Sequence, residues 1–280
     1  MNELIVSVAL TGAITSKKEA PNLPVTKEEI AADVIRCAKA GAAIAHIHIR
    51  DSDGQGTMDT GVFVETVDHI REELAKSGVD IVLNLTTSGS ATATESQRFA
   101  HLRHLKPEMC SYDVGSLNWL HTSVFLNPPD FLEKMGLFTQ ELRIKPEIEI
   151  FDGGMIENAK YYIKKGILKP PHNFQLVLGA AGGIPGTVQN LIFLYSLLPP
   201  ESHVSASGIG RWHMPVLLTA LALGFDGIRV GLEDNALMTK GVPATNVLLV
   251  ERAVDIAVRS GRAIASADQA RKRLGLEKHA

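Results

Sequence analysis

Short apolar runs alternate with longer amphipathic stretches along all 280 residues, and this alternation leaves few folds open to the chain. Eight strand-then-helix units can be counted, and two of the predicted helices open with a capping pattern, Thr26-x-x-Glu29 and Ser266-x-x-Gln269. Because a repeated βα alternation requires a parallel sheet, we expect one domain over residues 1–280, a (β/α)8 TIM barrel. A doubly wound open sheet is the alternative, since periodicity does not prove closure.

The composition excludes several other classes of protein. With 45% hydrophobic and 21% charged residues, the chain is typical of globular proteins with a large core. A formal net charge of -3 gives no indication of a nucleic acid or an anionic membrane as partner, and no run is apolar enough to span a bilayer. Cys37 and Cys110 fall outside any disulfide pattern, so we expect a reducing, cytoplasmic compartment.

Two histidines end the second predicted strand, directly after the apolar run 41–45. His46 and His48 are two residues apart, and alternate residues of a strand point to the same face. Both imidazoles would then project from the carboxyl end of one rigid element, which suits a metal site. Two hydrogen-bonded structural histidines are the other interpretation of this pattern.

Glu233, after the eighth predicted strand, is the best candidate for a third ligand, because closure of a barrel brings that strand near the first two. Two histidines and one carboxylate leave metal positions open, as a catalytic site requires. We expect Zn²⁺, with Mn²⁺ or Fe²⁺ as alternatives.

Polar residues also collect at the carboxyl ends of other predicted strands, where a barrel of this type carries its active site. Asp234 is a candidate general base whose ionised form Arg229 would hold, although a helix-capping Asp in a structural salt bridge is the alternative. Glu147 and Glu149 lie on the fifth strand, and one of them should point into the barrel, where it would need a cation such as Arg229.

A glycine-rich loop, residues 179–186, follows the sixth predicted strand and precedes a helix. Its backbone N–H groups, including those of Gly182 and Gly183, are candidates for binding a phosphate or carboxylate. A plain tight turn would have the same composition.

An ordered set of motifs resembles the β-keto acid cleavage enzymes, whose type member is 3-keto-5-aminohexanoate cleavage enzyme, over nearly the whole chain. The motifs are Thr11-Gly12-Ala13, His46-x-His48-x-Arg50-Asp51, Pro107-Glu108-Met109, Leu126-Asn127-Pro128-Pro129, Glu147 to Asp152, Ser207 to Arg211 and Arg229 to Asn235. The resemblance implies a metal-bearing (β/α)8 barrel that forms a homo-oligomer, a dimer or tetramer. It also implies a retro-Claisen-type exchange, in which a β-keto acid and acetyl-CoA give acetoacetate and a new acyl-CoA.

The same resemblance implies roles for particular residues. The matches to the zinc ligands are His46, His48 and Glu233, and those to the catalytic residues are Arg229, Asp234 and Glu149. Thr86 and Thr87 fall where the family places a hydroxyl residue, and the substrate-side segment of strand four has Ser111 and Asp113. Acetyl-CoA as co-substrate rests on the resemblance alone, because the chain has no recognisable CoA-binding signature.

One position departs from the aminohexanoate-cleaving type, in which a Glu suited to a substrate ammonium follows Thr-Gly-Ala. This chain has Ile14 there, and a cationic substrate would lack its partner in a buried site. We therefore expect a neutral or apolar β-keto acid, with Trp212 adding to the apolar wall. The alternative functions are a metal-dependent hydrolase or aldolase on the same barrel, and a non-catalytic protein that binds a metal or a CoA ester.

Overall fold

Buried apolar segments form the strands of this protein, and amphipathic segments between them form the helices. In the computed structural model, which describes residues 2–90 and 92–278, the strands are β1 (Ile5–Ala9), β2 (Ile44–Ile47), β3 (Val82–Leu85), β4 (Met109–Asp113), β5 (Leu117–Trp119), β6 (Ser123–Phe125), β7 (Lys145–Ile150), β8 (Asn173–Leu178), β9 (His203–Gly208), β10 (Gly227–Val230), β11 (Leu237–Thr239) and β12 (Val242–Pro243). The helices are α1 (Lys27–Lys39), α2 (Thr60–Ser77), α3 (Glu95–Leu105), α4 (Pro129–Leu142), α5 (Gly153–Lys164), α6 (Val188–Leu197), α7 (His213–Ala222), α8 (Asn246–Arg259) and α9 (Ala267–Leu274).

Eight parallel strands close on one another in the order β1-β10-β9-β8-β7-β4-β3-β2. Closure occurs at β1, where Ser7 pairs in register with Arg229 of β10 and Ala9 pairs with His46 of β2. The expected (β/α)8 barrel is therefore confirmed, and the open doubly wound sheet is wrong. Because every barrel strand runs in the same direction, the carboxyl ends of all eight strands meet on one face of the barrel.

The helix caps read from the sequence are present. The Thr26 hydroxyl accepts from the Glu29 N–H, and the Glu29 carboxylate accepts from the Thr26 N–H, each at 3.2 Å. At the amino-terminal end of the barrel, Ala270 and Leu274 of α9 pack against Ile5 of β1. The last helix therefore covers the end of the barrel opposite the carboxyl ends of the strands.

Two antiparallel hairpins, β5–β6 and β11–β12, interrupt the alternation of strands and helices and were not predicted. Their strands have two or three residues each and are largely exposed, so they are too short to show an apolar period. They follow β4 and β10 and therefore lie at the carboxyl-end face. At one hairpin tip, the Leu120 N–H donates to the carbonyl of Ala181 at 3.0 Å.

Cys37 and Cys110 are both buried and unpaired. In the described ranges 2–90 and 92–278, no helix combines the length and apolar character that a membrane span needs.

Candidate active site

Three side chains that bind metals in other proteins meet at the carboxyl ends of β2 and β10. His46 Nε2 lies 3.9 Å from Glu233 Oε1, and His48 Nε2 lies 3.6 Å from Glu233 Oε2. Ligand atoms around a tetrahedral zinc with bonds near 2 Å are separated by about 3.4 Å. The spacing of the three residues therefore fits a single ion.

The environment of the two imidazoles also suits a metal. Burial, and after it the charge of Arg229, lowers the pKa of His46 well below its ordinary value and that of His48 to about 3. Both rings are then neutral, which is the form that binds a metal. Among the described residues, neither Nδ1 atom nor Glu233 Oε2 has a hydrogen-bond partner, which argues against two hydrogen-bonded structural histidines.

Two glycines allow the loop after β10 to lie against the end of β1. Gly231 has φ +137°, and a Cβ there would come within 2.1 Å of the Ala9 carbonyl oxygen. Gly12 has φ +59°, and a Cβ there would lie 2.7 Å from Cγ of Glu233. Because larger residues would be strained and would clash at both positions, these glycines set where the carboxylate ligand lies.

Arg229 joins three buried or half-buried carboxylates. Its Nε and Nη2 atoms donate to the two oxygens of Asp234, each at 2.9 Å. Nη2 also donates to Glu233 Oε1 at 2.6 Å, and Nη1 to Glu149 Oε1 at 3.3 Å. Burial opposes the charge of the guanidinium, but the carboxylates, with Asp234 foremost, raise the pKa of Arg229 well above its ordinary value.

Asp234 is thus held in a two-point contact by a permanent cation. Burial raises the pKa of Asp234, and the Arg229 charge opposes this. A carboxylate with a raised pKa is a stronger base, which suits proton abstraction. Asp234 does not cap a helix, because α8 begins at Asn246 and is capped by Thr245. The salt bridge of that alternative is present, between Asp234 and Arg229.

Both carboxylates of β7 are buried in the barrel, where the sequence predicted one. Asn84 donates to Glu147 at 2.6 Å, and Asp113 of β4 pairs in register with Glu149. Burial raises the pKa of Asp113, Glu147 and Glu149, and repulsion from Asp113 adds to the rise at Glu149. His46, Glu147 and Glu149 form a second group of possible metal ligands, but all three are buried. Glu233 is partly exposed at the barrel mouth, so the first group is the one that a substrate could reach.

Two hydroxyl residues directly follow β3, and one of them, Thr87, contacts Ser111 of β4. The Thr87 N–H donates to Ser111 Oγ at 3.0 Å, and the Thr87 hydroxyl donates to the Ser111 carbonyl at 3.1 Å. Thr86 Oγ1 lies 3.2 Å from Ser88 Oγ. Within the described residues Thr86 makes no hydrogen bond to Asp234, so Arg229 alone among these groups orients the candidate base.

The glycine-rich loop is a tight turn packed against the first hairpin. A Cβ on Gly182 would come within 1.9 Å of the Asn118 carbonyl oxygen. The Gly183 N–H donates to the Ala180 carbonyl at 3.0 Å, so this N–H is not directed at a ligand. Ile14, in the loop after β1, is 54% exposed, so the expectation that this position is buried is wrong.

Sequence reasoning missed Arg98, a buried arginine on α3 that joins Thr87 to the segment after β6. Its Nε donates to the Thr87 carbonyl at 2.7 Å, its Nη1 to the Leu126 carbonyl at 2.9 Å, and its Nη2 to Asn127 Oδ1 at 2.7 Å. The Leu126-Asn127-Pro128-Pro129 motif, which contains two of its partners, was the only indication in the sequence of this contact. Arg98 itself gave no indication, because an arginine in a predicted amphipathic helix resembles a solvated surface residue.

Asn246 was also missed, and it holds the loop that carries Glu233 and Asp234. Its side-chain oxygen accepts from the Leu232 N–H at 2.8 Å, and its amide donates to the Leu10 carbonyl at 3.0 Å. The same amide donates to Asp33 of α1 at 2.6 Å. A buried amide with three partners fixes the loop to both β1 and α1.

Comparison with known proteins gives a consistent result. A family model described as beta-keto acid cleavage enzyme matches residues 3–276. The chain is 36% identical over 279 residues to 3-keto-5-aminohexanoate cleavage enzyme of Acetoanaerobium sticklandii, covering 99% of this chain and 100% of that protein. It is 33% identical over 297 residues to 3-dehydrocarnitine:acetyl-CoA trimethylamine transferase of Rhizobium meliloti, covering 99% of this chain and 97% of that protein.

Another relative is 3-oxoadipate:acetyl-CoA acetyltransferase of Cupriavidus necator, 32% identical over 276 residues, with 97% of this chain and 94% of that protein covered. Among solved structures, the ternary complex of ObcA with C4-CoA adduct and oxalate superposes with a TM-score of 0.78 at 24% identity. The match covers 91% of this chain and 68% of that chain. At this identity the superposition supports the barrel fold.

Proposed function

Since this chain belongs to the β-keto acid cleavage enzyme family, we propose that it is a zinc-dependent enzyme acting on a β-keto acid and acetyl-CoA. The products would be acetoacetate and a new acyl-CoA. Two of the relatives are named as acetyl-CoA transferases, which supports this class of reaction. The observation that carries the proposal is the two-point contact between Arg229 and Asp234 beside the three candidate ligands.

In the proposed reaction Asp234 takes a proton from the carbon between the keto and carboxylate groups of the substrate. The carbanion attacks the acetyl carbonyl of acetyl-CoA, and the CoA thiolate leaves. The thiolate then attacks the original keto carbon, and the bond from that carbon to the acetoacetate fragment breaks. Asp234 returns its proton to this fragment. No cysteine nucleophile is needed, which agrees with the burial of Cys37 and Cys110.

His46, His48 and Glu233 would hold the Zn²⁺, with Mn²⁺ or Fe²⁺ as alternatives, and the bound metal would polarise the keto and carboxylate oxygens of the substrate. Arg229 orients Asp234 and offsets the negative charge that gathers in the barrel. Glu149 lies on the other side of the guanidinium and fixes its position. We assign the substrate-facing wall to four residues: Thr86, Thr87, Ser111 and Asp113.

The proposed substrate has a neutral or apolar tail. Exposed apolar side chains surround the barrel mouth: Ile14 at 54%, Val124 at 59% and Leu126 at 61%. A substrate ammonium would find no carboxylate at Ile14 to pair with. The names of the relatives indicate several different substrates, so family membership alone does not choose among them.

We also propose that the protein is a homo-oligomer, a dimer or tetramer. Helix α6 carries no charged residue and exposes Ile192 and Phe193 at 47% and 49%. Leu218 of the neighbouring α7 is 49% exposed. An uncharged apolar face of this kind suits contact with a second copy of the chain, and light scattering would measure the oligomeric state.

The hydrolase or aldolase alternative has less support. The later histidines that such a site would use are His172 and His203, and His203 is the first residue of β9, at the opposite end of the barrel from His46. Its Nδ1 lies 3.7 Å from Asp226.

The test is a mass-spectrometric assay for acetoacetate. Zinc-loaded protein would receive acetyl-CoA with neutral, cationic or dicarboxylic β-keto acids. We expect acetoacetate and a matching acyl-CoA with the neutral acids. Cleavage of the acid without transfer to CoA would refute the exchange reaction, and a preference for the cationic acid would refute the role given to Ile14.

A further inference from the structure

We propose that Arg211, stacked on Trp212 at the rim of the barrel mouth, binds a phosphate group of the CoA ester. This inference rests on the proposed function, since it concerns the second substrate of the same site. Arg211 lies in the 3₁₀ turn Gly210–Trp212, which directly follows β9. The turn therefore lies on the carboxyl-end face, together with the candidate metal ligands.

The guanidinium of Arg211 stacks on an aromatic ring, and its N–H groups remain free to bind a ligand. Its central carbon lies 4.6 Å from the centre of the Trp212 ring. The side chain is exposed, and among the described residues no carboxylate lies within ion-pair distance of it and no hydrogen bond engages it. Stacking on an aromatic ring reduces the conformational freedom of an arginine without using its N–H groups.

Trp212 is itself fixed by two glycines of the loop between β8 and α6. A Cβ on Gly179 would come within 2.2 Å of Trp212 Cδ1, and a Cβ on Gly186 within 2.4 Å of Trp212 Cβ. The backbone of this loop therefore lies closely against Trp212 at two points. The ring is a rigid support, and the arginine stacked on it has a defined position.

The turn is joined directly to the candidate base. The Gly210 N–H donates to the main-chain carbonyl of Asp234 at 2.8 Å. Arg211 follows in the chain, so its position at the rim is fixed relative to the residue that would start the reaction. A phosphate bound there would tether the CoA ester beside the catalytic group.

Other cations in the loops of this face are engaged or lack such support. Lys17 pairs with Glu29 at 2.6 Å. Arg50 is buried and donates to the carbonyls of Thr11, Thr15 and Gly54. Lys240, at the turn of the second hairpin, is exposed and makes no aromatic contact among the described residues.

The chemistry of the ligand agrees with this placement. CoA carries a diphosphate and a ribose phosphate, whereas the interior of the site holds several carboxylates and the chain has a formal net charge of -3. A guanidinium binds phosphate oxygens through two parallel N–H donors, which an ammonium cannot do. A free arginine at the rim therefore gives the anionic end of CoA a contact away from those carboxylates.

The experiment compares Arg211→Gln with wild type in the exchange reaction, using two acetyl donors. One donor is acetyl-CoA, and the other is S-acetyl-N-acetylcysteamine, which has the same thioester but no phosphate. We expect the KM for acetyl-CoA to rise about tenfold or more in Arg211→Gln, the size expected for a lost charged hydrogen bond. The KM for the β-keto acid and the kinetics with the phosphate-free donor should stay as in wild type.

Two further variants sharpen the test. Lys240→Gln is the matched control for loss of a positive charge at the rim, and it should change the KM for acetyl-CoA little. Arg211→Lys keeps the charge without the paired donors and should give an intermediate KM. An equal rise in KM for both donors, or no rise for acetyl-CoA, would overturn the proposal.

A failure of the proposed reaction would be recognised separately. If wild-type protein does not turn over, the dissociation constant for CoA itself is measured by calorimetry. Weaker CoA binding in Arg211→Gln than in wild type would then support the phosphate contact without the reaction. Equal binding in the two proteins, or no binding to either, would overturn it.

Discussion

Replacing Arg229 with lysine tests the central feature of the site, because it keeps the charge and removes the planar set of donors. Arg229 makes four hydrogen bonds to carboxylates: two to Asp234, one to Glu233 and one to Glu149. A lysine ammonium cannot make both bonds to Asp234 and also reach the other two groups. We therefore expect at least two of the four bonds to be lost.

The size of the effect follows from these contacts. Hydrogen bonds to charged groups contribute about 1.5–3 kcal/mol each, and water entering the mouth would restore part of the loss. We expect Arg229→Lys to lower the free energy of unfolding by roughly 3 kcal/mol, which corresponds to a Tm lower by about 6–12 °C for a large domain. With Asp234 no longer oriented, kcat should fall by about 10²–10³.

Thermal unfolding and steady-state kinetics of Arg229→Lys would be measured beside two other variants. Arg229→Met removes the charge as well and should be less stable than Arg229→Lys, because buried carboxylates lose their cation. Arg103→Lys is the matched control, since Arg103 forms an exposed pair with Glu141, and it should leave Tm and kcat nearly unchanged. Wild-type kcat and Tm in Arg229→Lys would refute the role given to the two-point contact.

Three other outcomes are expected. Asp234→Asn should lower kcat by about 10²–10⁴ and retain zinc, whereas His46→Ala should lose zinc. Metal analysis of the purified proteins measures the zinc content. Loss of zinc from the Asp234→Asn variant would contradict the assignment of Asp234 as base rather than ligand. Gly12→Ala should weaken zinc binding by about tenfold or more in a chelator competition, because the added Cβ would displace Glu233. Unchanged zinc affinity would contradict the role of Gly12 in positioning Glu233. Burial raises the pKa of Glu149 well above its ordinary value, so the folded state keeps a proton that the unfolded chain releases. Stability should therefore fall as the pH rises above the ordinary pKa of a glutamate. Urea unfolding should show this slope in wild type and a flatter one in Glu149→Gln; equal slopes would place the proton elsewhere.

The barrel could be predicted because its strands are buried, which makes most of them short and largely apolar segments between amphipathic helices. The orientation of His46 and His48 toward the same site also followed from the two-residue period of a strand. Closure could not be read from periodicity, since it depends on the pairing of β1 with β10. The hairpins escaped prediction because their short exposed strands carry no apolar pattern.

The site was predictable where local spacing places residues together, as in the Arg229 to Asp234 segment. It was not predictable where the contact joins distant parts of the chain through a polar side chain. Arg98 and Asn246 belong to this second kind, because their partners are mostly main-chain groups of loops whose positions exist only in the folded barrel. A single sequence carries no sign of such contacts.

Closure at β1 has a consequence for how the protein would respond to a bound metal. The candidate ligands come from β2 and from the loop after β10, on either side of the first strand. An ion held there would join the second and last barrel strands across β1, as a non-covalent cross-link between distant parts of the chain. Its binding free energy would add to the stability of the closed barrel. A chelator would therefore loosen the junction of first and last strands, and amide hydrogen exchange should quicken there before it quickens in β7 and β8 on the opposite side.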